Sequence, residues 1–370
     1  MERRPEYRNN PKSPELIHTP QDFYRDLANR ISGAKRRVDL EFFTFTHDPT
    51  TQHIFDAIGN ALTNEAMTVR IFYDHLGVSP FAMVKTALQL RKIAKNAKGT
   101  FVVQSAKNIL HKGGVANLLD TLHKKVAVID AGTDNGIAYM GGINISGKHA
   151  DFGDLMVKLS QPDAVGFIAD DFQATWTHSN GKPHTQKVDN ETSLHSLGKG
   201  KEGNKPFIDM LIGYIDRALP GQRIMLETGY VDKSRIRQAL IAAKNRGVDV
   251  EIVSAHPDAT KSDFRYMLYP RRTAHPIVQS EIPFFLYHGK DSSRPSYDHT
   301  KIFVIGDRAF FGSFNFSTDW LVGNNEELVY ETTNPELVSQ LVARFEEDKD
   351  QSLPYQQVKQ QQPPRRQKRW

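Results

Sequence analysis

"HKKVAVID", residues 123–130, sets two basic side chains two positions apart, runs on through four apolar residues and closes on an acid. In a strand, residues i and i+2 share a face, so His123 and Lys125 would be lateral neighbours on it. The same device returns at "HTKIFVIGD", residues 299–307. Extended outward, the two copies read "HKKVAVIDAGTDNGIAYMGGINIS" and "HTKIFVIGDRAFFGSFNFS". Each has His-x-Lys, four apolar residues, a turn with acid and glycine, an apolar return strand, a small-residue pair and then x-Asn-x-Ser. The positions are His123, Lys125, Asn144 and Ser146 in the first copy, and His299, Lys301, Asn315 and Ser317 in the second. One His-x-Lys on a strand is commonplace and usually structural; two complete copies are not.

The surroundings of the two hairpins repeat as well. "VDLEFFTF" (38–45) and "TVRIFYDHLG" (68–77) read as strands, and "TQHIFDAIGNALTNEA" between them carries helix-spaced Ile54, Ile58 and Leu62. Later, "FIDMLIGYIDRAL" (207–219) and "SRIRQALIAAKNRG" (234–247) read as helices, the second closed by Gly247. "QRIMLETGYV" (222–231) and "VDVEIVSA" (248–255) read as strands. Each histidine hairpin is followed by a helical stretch, 164–176 and 336–348. Strand–helix–strand order implies parallel βαβ units, and the repeat implies an internal duplication. The expected fold class is α/β: two similar α/β/α-sandwich domains with pseudo-twofold symmetry. Their expected extents are residues 16–177 and 207–350, after a flexible arm at 1–15. Residues 178–206, polar and rich in Gly, Ser and Lys, read as a linker, and the Gln-rich basic end, 351–370, as a disordered tail. "GKGKEGNK" lacks the GK[ST] ending of a phosphate-binding loop, and no strand is expected before it.

The 370 residues include no cysteine, which excludes disulfides and cysteine-based zinc sites and fits a reducing, cytoplasmic setting. No run approaches the roughly 20 apolar residues of a membrane span, and no apolar segment follows the first basic residues as in a secretory signal. The net charge of +5 suits anionic partners, phospholipid surface or nucleic acid. The basic stretch "KTALQLRKIAKNAKG" (85–99) and the mixed aromatic and basic stretch 256–298 both read first as ordinary surface and strand, although either would suit a lipid surface.

Two such hairpins offer imidazoles, ammonium groups, amides and hydroxyls. Hydrogen-bond donors dominate, and the lysines, charged at neutral pH, do not make a metal cage. The expected guest is a tetrahedral anion, most simply a phosphodiester, with no metal and no cofactor.

These motifs resemble the phospholipase D superfamily, and "HKKVAVID…GGINIS" is similar to its cardiolipin synthase branch, over roughly residues 23–345. The resemblance implies two-step transfer through a covalent phosphohistidine at a site formed where the two domains meet. His123 would be the nucleophile and His299 the acid and base, with Lys125, Lys301 and Asp130 in the catalytic set. Asn144 and Asn315 would bind the phosphate. Supporting roles would fall to Ser146, Ser317 and Asp307, and to Asp154 and Glu326, which would hold the far nitrogens of the histidines. The second motif departs from the family pattern: Gly306 takes the aspartate position, with Asp307 one step on, and Trp320 and Leu321 stand where synthases usually carry Arg-Ser. Implied partners are a phospholipid membrane surface, bound peripherally, and a water or small-alcohol acceptor. Nucleic acid is the alternative substrate, and a catalytically silent binding protein is disfavoured by two intact motifs.

Overall fold

Both strand–helix–strand phrases fold as parallel βαβ units. The structure, a computed structural model, describes residues 13–74, 78–105, 123–177, 183–198, 200–229, 235–256, 276–289, 297–316 and 325–360, with Val231 and Ala259. The chain divides into two units, one of residues 1–150, 155–199 and 325–329, the other of residues 151–154, 200–324 and 330–370.

In the first unit the elements are β1 (Glu15–Ile17), α1 (Pro20–Gly33), β2 (Arg37–Phe42), α2 (Gln52–Ala61), β3 (Thr68–Tyr73), α3 (Pro80–Asn96), β4 (Thr100–Ser105), β5 (Lys125–Ile129), β6 (Ile137–Gly141), β7 (Met156–Leu159), α4 (Pro162–Trp176), β8 (His184–Lys187) and β9 (Thr192–Leu197). Seven strands form one sheet in the order β1-β7-β6-β5-β2-β3-β4. β2, β3 and β4 are parallel, and β5 lies antiparallel beside β2. α1 starts where Thr19 accepts the Asp22 amide ahead of Pro20, a residue preset for a first turn. Its Phe23, Leu27 and Ile31 join Ile54 and Ile58 of α2 in a core over Leu40, Val69 and Ile71 of the sheet.

The second unit repeats the plan with α5 (Gly200–Arg217), β10 (Arg223–Thr228), α6 (Arg235–Asn245), β11 (Asp249–Ala255), β12 (Phe284–Tyr287), β13 (Ile302–Ile305) and β14 (Arg308–Gly312), then β15 (Glu327–Thr332), α7 (Pro335–Asp350), β16 (Ser352–Pro354) and α8 (Tyr355–Gln360). The order β16-β12-β11-β10-β13-β14 again places three parallel strands, β10, β11 and β12, beside an antiparallel histidine strand, β13.

Two expectations about boundaries are corrected. The stretch 178–206 contains a hairpin, β8 paired with β9, and the first turns of α5, so a strand does precede "GKGKEGNK", and only the missing GK[ST] ending sets it apart from a phosphate-binding loop. The polarity of the stretch misled because backbone pairing needs no apolar side chain, and because the buried polar residues of β9 are satisfied in place: Ser196 donates to Asp171 and His195 meets Thr185, beside buried Leu194 and Leu197. The end, 351–370, is ordered through Gln360: Ser352–Pro354 pairs antiparallel with β12, and Val358 is buried. Residues 1–12 and 361–370 lie outside the described residues, as do Ser317, Trp320, Leu321 and most of 256–298.

The closing acid of the first motif serves the fold. Asp130 ends β5 at φ 50°, and its carboxylate accepts the amides of Lys35, Arg36 and Arg37 at 2.7, 2.8 and 2.9 Å. Its own amide donates to the Arg37 carbonyl at 2.8 Å, so the hairpin is tied to the entry of β2. Gly306 occupies the corresponding place at φ 60°, its amide donating to the Arg223 carbonyl at 2.9 Å. Glycine holds that left-handed conformation without the cost a Cβ would add. The acid therefore has not slipped to Asp307, which is exposed in the β13–β14 turn; the loop entering β10 is tied instead by Gln222, whose side-chain oxygen accepts the Leu219 amide at 2.8 Å. Asp130→Ala should lower the unfolding free energy by about 2–4 kcal/mol, since it strands three donors. Gly306→Ala should cost roughly 1–2 kcal/mol through backbone strain alone. Urea denaturation of the two variants checks this, and equal losses would contradict it.

Candidate active site

In the first unit β5 delivers the motif. The Lys125 ammonium folds back onto the backbone carbonyl of His123, the residue it shares a face with. The His123 ring lies 5.2 Å from the Phe43 ring, centroid to centroid, and Lys125 Nζ sits 5.5 Å from the same ring. His123 Nδ1 meets the carboxylate of Glu327, 2.9 and 3.1 Å from its two oxygens, and that side chain is fully buried. Lys124, between the two motif residues, points to the opposite face. There its ammonium reaches Asp171 of α4 at 2.7 Å, Thr175 at 3.0 Å and Glu326 at 3.6 Å.

The second unit builds the same arrangement from different partners. The Lys301 ammonium meets the His299 carbonyl, and His299 Nδ1 lies 2.6 Å from Asp154. Backbone pairing places that acid: Gly153 donates to the Tyr297 carbonyl at 3.0 Å, and the His299 amide donates to the Gly153 carbonyl at 2.8 Å. The rings of Tyr297 and Phe152 flank the imidazole at 5.7 and 6.3 Å.

Asn144 is buried. Its side-chain oxygen accepts the Thr44 amide at 2.9 Å, which fixes the side-chain NH2 as the outward donor. Its carbonyl accepts from the Tyr24 hydroxyl at 2.5 Å, and the Ser146 amide donates to that hydroxyl at 3.2 Å. The Asn315 carbonyl accepts from Thr228 at 2.9 Å. The small pair Gly141–Gly142 serves the backbone: a Cβ on Gly141 would stand 2.4 Å from the Leu155 carbonyl oxygen.

One expected site residue is corrected. The acid on His123 is Glu327, whereas Glu326 belongs to the Lys124 cluster. Adjacent residues of an extended chain face opposite ways, so in the run Asn-Asn-Glu-Glu only one acid can reach the imidazole. The flanking rings of Phe43, Phe152 and Tyr297 went unread in the sequence; Tyr297, two residues before His299, carried the only positional hint.

Behind each motif lies a buried acid at the same strand position, Glu41 on β2 and Glu227 on β10, both fully buried. In the first unit Lys124 supplies the compensating charge. Burial alone would lower its pKa, but Asp171, Glu41 and Glu326 more than offset this and hold it above the usual lysine range. In the second unit Thr300 takes the place of Lys124, and the cation is Arg344 of α7, paired with Asp348. Burial, with Asp348 and Asp298 adding repulsion, raises the Glu227 carboxyl well above its ordinary value. Burial and then Asp348 push Asp298 up from 3.8 to about 7.

Residues 27–176 and 211–349 match the family described as Cardiolipin synthase, PLD-like domain. The minor cardiolipin synthase ClsB of Bacillus subtilis (strain 168) is 25% identical over 358 residues, covering 91% of this chain and 81% of that protein. Cardiolipin synthase 1 of Staphylococcus aureus (strain COL) is 24% identical over 258 residues, covering 64% of this chain and 49% of that protein. Among solved structures, phosphatidylserine synthase of Haemophilus influenzae Rd KW20 aligns at TM-score 0.66 and 15% identity over 92% of this chain and 87% of that one, a likeness of fold.

The raised acids have a consequence for stability. A carboxyl whose pKa rises on folding keeps a proton that the unfolded chain has released, so folding is favoured at low pH and loses that advantage as pH rises. For Asp298 the window runs from 3.8 to about 7. Glu227→Gln removes one ionising member of the cluster. The variant's thermal midpoint, relative to the unsubstituted protein, should climb as pH rises from the ordinary glutamate value of 4.5 through neutrality. A difference that stays constant across that range would show that the acids do not titrate as described.

Proposed function

From a chain that belongs to the cardiolipin synthase, PLD-like domain family, we propose a phosphatidyltransferase of the phospholipase D type that acts on phospholipids through a covalent phosphohistidine. The observation that carries this is the repeated pairing of an imidazole Nδ1 with a buried carboxylate, beside a lysine of the same strand face. A carboxylate on Nδ1 fixes the tautomer and leaves Nε2 for chemistry.

His123 Nε2 attacks phosphorus, forming a P–N bond as the P–O bond to the leaving alcohol breaks; His299 gives that oxygen its proton. His299 then takes a proton from the incoming alcohol or water, whose oxygen forms the new P–O bond as the P–N bond breaks. Lys125 and Lys301 balance charge on the non-bridging oxygens, and the amides of Asn144 and Asn315 donate to them. A lipid alcohol as acceptor gives a cardiolipin-like product; water gives hydrolysis. The charged lysines and carboxylate-bound imidazoles do the work that a metal does elsewhere, so turnover should survive EDTA.

Vesicles containing phosphatidylglycerol, with EDTA and with products separated by chromatography, test the proposal. Phosphatidic acid or a cardiolipin-like lipid is expected. No lipid product, alongside cleavage of DNA, would make the chain a nuclease. Glu327→Gln and Asp154→Asn should each lower turnover by about 100-fold or more, because the wrong tautomer is then admitted. Glu326→Gln should cost far less, and the reverse ranking would remove Glu327 from the mechanism.

A further inference from the structure

Helix α3 presents an outward face that the fold does not explain. Its inner face buries Thr86, Leu90 and Ile93. Its outer face exposes Phe81, Val84 and Leu88, 69%, 58% and 58% accessible, at i, i+3 and i+7. The same face continues with exposed Arg91, Lys92 and Lys95, at i+10, i+11 and i+14 from Phe81. The helix contains no acid. Singly exposed apolar residues are ordinary, but three in one row followed by three cations are an arrangement suited to the boundary between acyl chains and anionic headgroups.

A cavity of about 310 Å³ opens at the N-terminal end of this helix. Phe81, Ala82 and Lys85 of α3 form one wall. Ser146 and Lys148, just beyond Asn144 of the first motif, and His149 form another. Lys85 Nζ stands 4.5 Å from the centroid of the Phe81 ring, joining charge and apolar surface at the mouth.

We propose that the outer face of α3 is the surface by which this chain docks on an anionic phospholipid bilayer, setting the mouth of that cavity against the lipid headgroups. The proposal rests on the phospholipid reading above and names the element that meets the lipid. Val84 and Leu88 enter the interface, while Arg91, Lys92 and Lys95 meet lipid phosphates. A second copy of the chain suits the face poorly, because a twofold contact would set the three cations against the same cations or against the apolar row, and α3 carries no acid to pair with them.

The test is co-sedimentation of the full chain with phosphatidylglycerol-containing and with purely zwitterionic vesicles. The unsubstituted protein should prefer the anionic ones. Val84→Ser/Leu88→Ser should bind about tenfold more weakly or worse, having lost its buried apolar contact. Arg91→Glu/Lys92→Glu should lose the preference for anionic vesicles. Leu88→Trp, which keeps the face apolar, should bind and shift its fluorescence to the blue with vesicles added. Unchanged binding in both double variants, or no shift at Trp, would overturn the proposal. A change of oligomeric size in sedimentation velocity on Val84→Ser/Leu88→Ser would overturn it too, by making the face a self-interface. Because docking is read without turnover, a chain that docks through α3 yet transfers nothing would refute the proposed function and leave the docking face standing.

Discussion

The structure depends on two crossed pairs, imidazole to carboxylate. His123 takes its acid from Glu327, 204 residues later, and His299 takes its acid from Asp154, 145 residues earlier. Each histidine is therefore completed by the other half of the chain: residues 325–329 group with the first unit and residues 151–154 with the second. A carboxylate this deeply buried is costly unless a charged or hydrogen-bonded partner meets it, and the imidazole is that partner. The requirement fixes where both borrowed segments must lie. It explains the backbone pairing of Gly153 with Tyr297 and His299, whose visible product is the 2.6 Å contact at Nδ1.

Around that constraint the two copies have diverged in chemistry while keeping their geometry. Glu41 and Glu227 stand at the same strand position, each fully buried, but the cation facing it comes from the middle of the motif in one copy and from the following helix in the other. The left-handed position after the histidine strand is aspartate once and glycine once. Aspartate brings a carboxylate that ties down the incoming loop; glycine brings only the conformation. What a position must supply persists, and the residue supplying it can change.

Much of this was legible in the sequence because the signals are local. Strand–helix–strand periodicity gave the parallel units, and the doubled His-x-Lys gave the site strands. The choice between Glu326 and Glu327 was not legible, since it turns on which of two adjacent side chains faces a histidine two hundred residues away. The β8–β9 hairpin was missed because its polar composition looks like linker, whereas backbone hydrogen bonds, two buried leucines and the bond from Ser196 to Asp171 hold it. The end of the chain was misread in the same way, because the pairing of β16 depends on a strand some seventy residues earlier.

The central claim is that an imidazole becomes the phosphate acceptor, and it is tested by catching the linkage. The protein would be mixed with phosphatidylglycerol labelled at phosphorus, quenched in alkaline denaturant and digested, and the labelled peptide sequenced by mass spectrometry. The account predicts an acid-labile, base-stable adduct on the peptide carrying His123, absent in His123→Asn. Product formed with no labelled histidine peptide at any time point, or label on a serine or tyrosine, would contradict it.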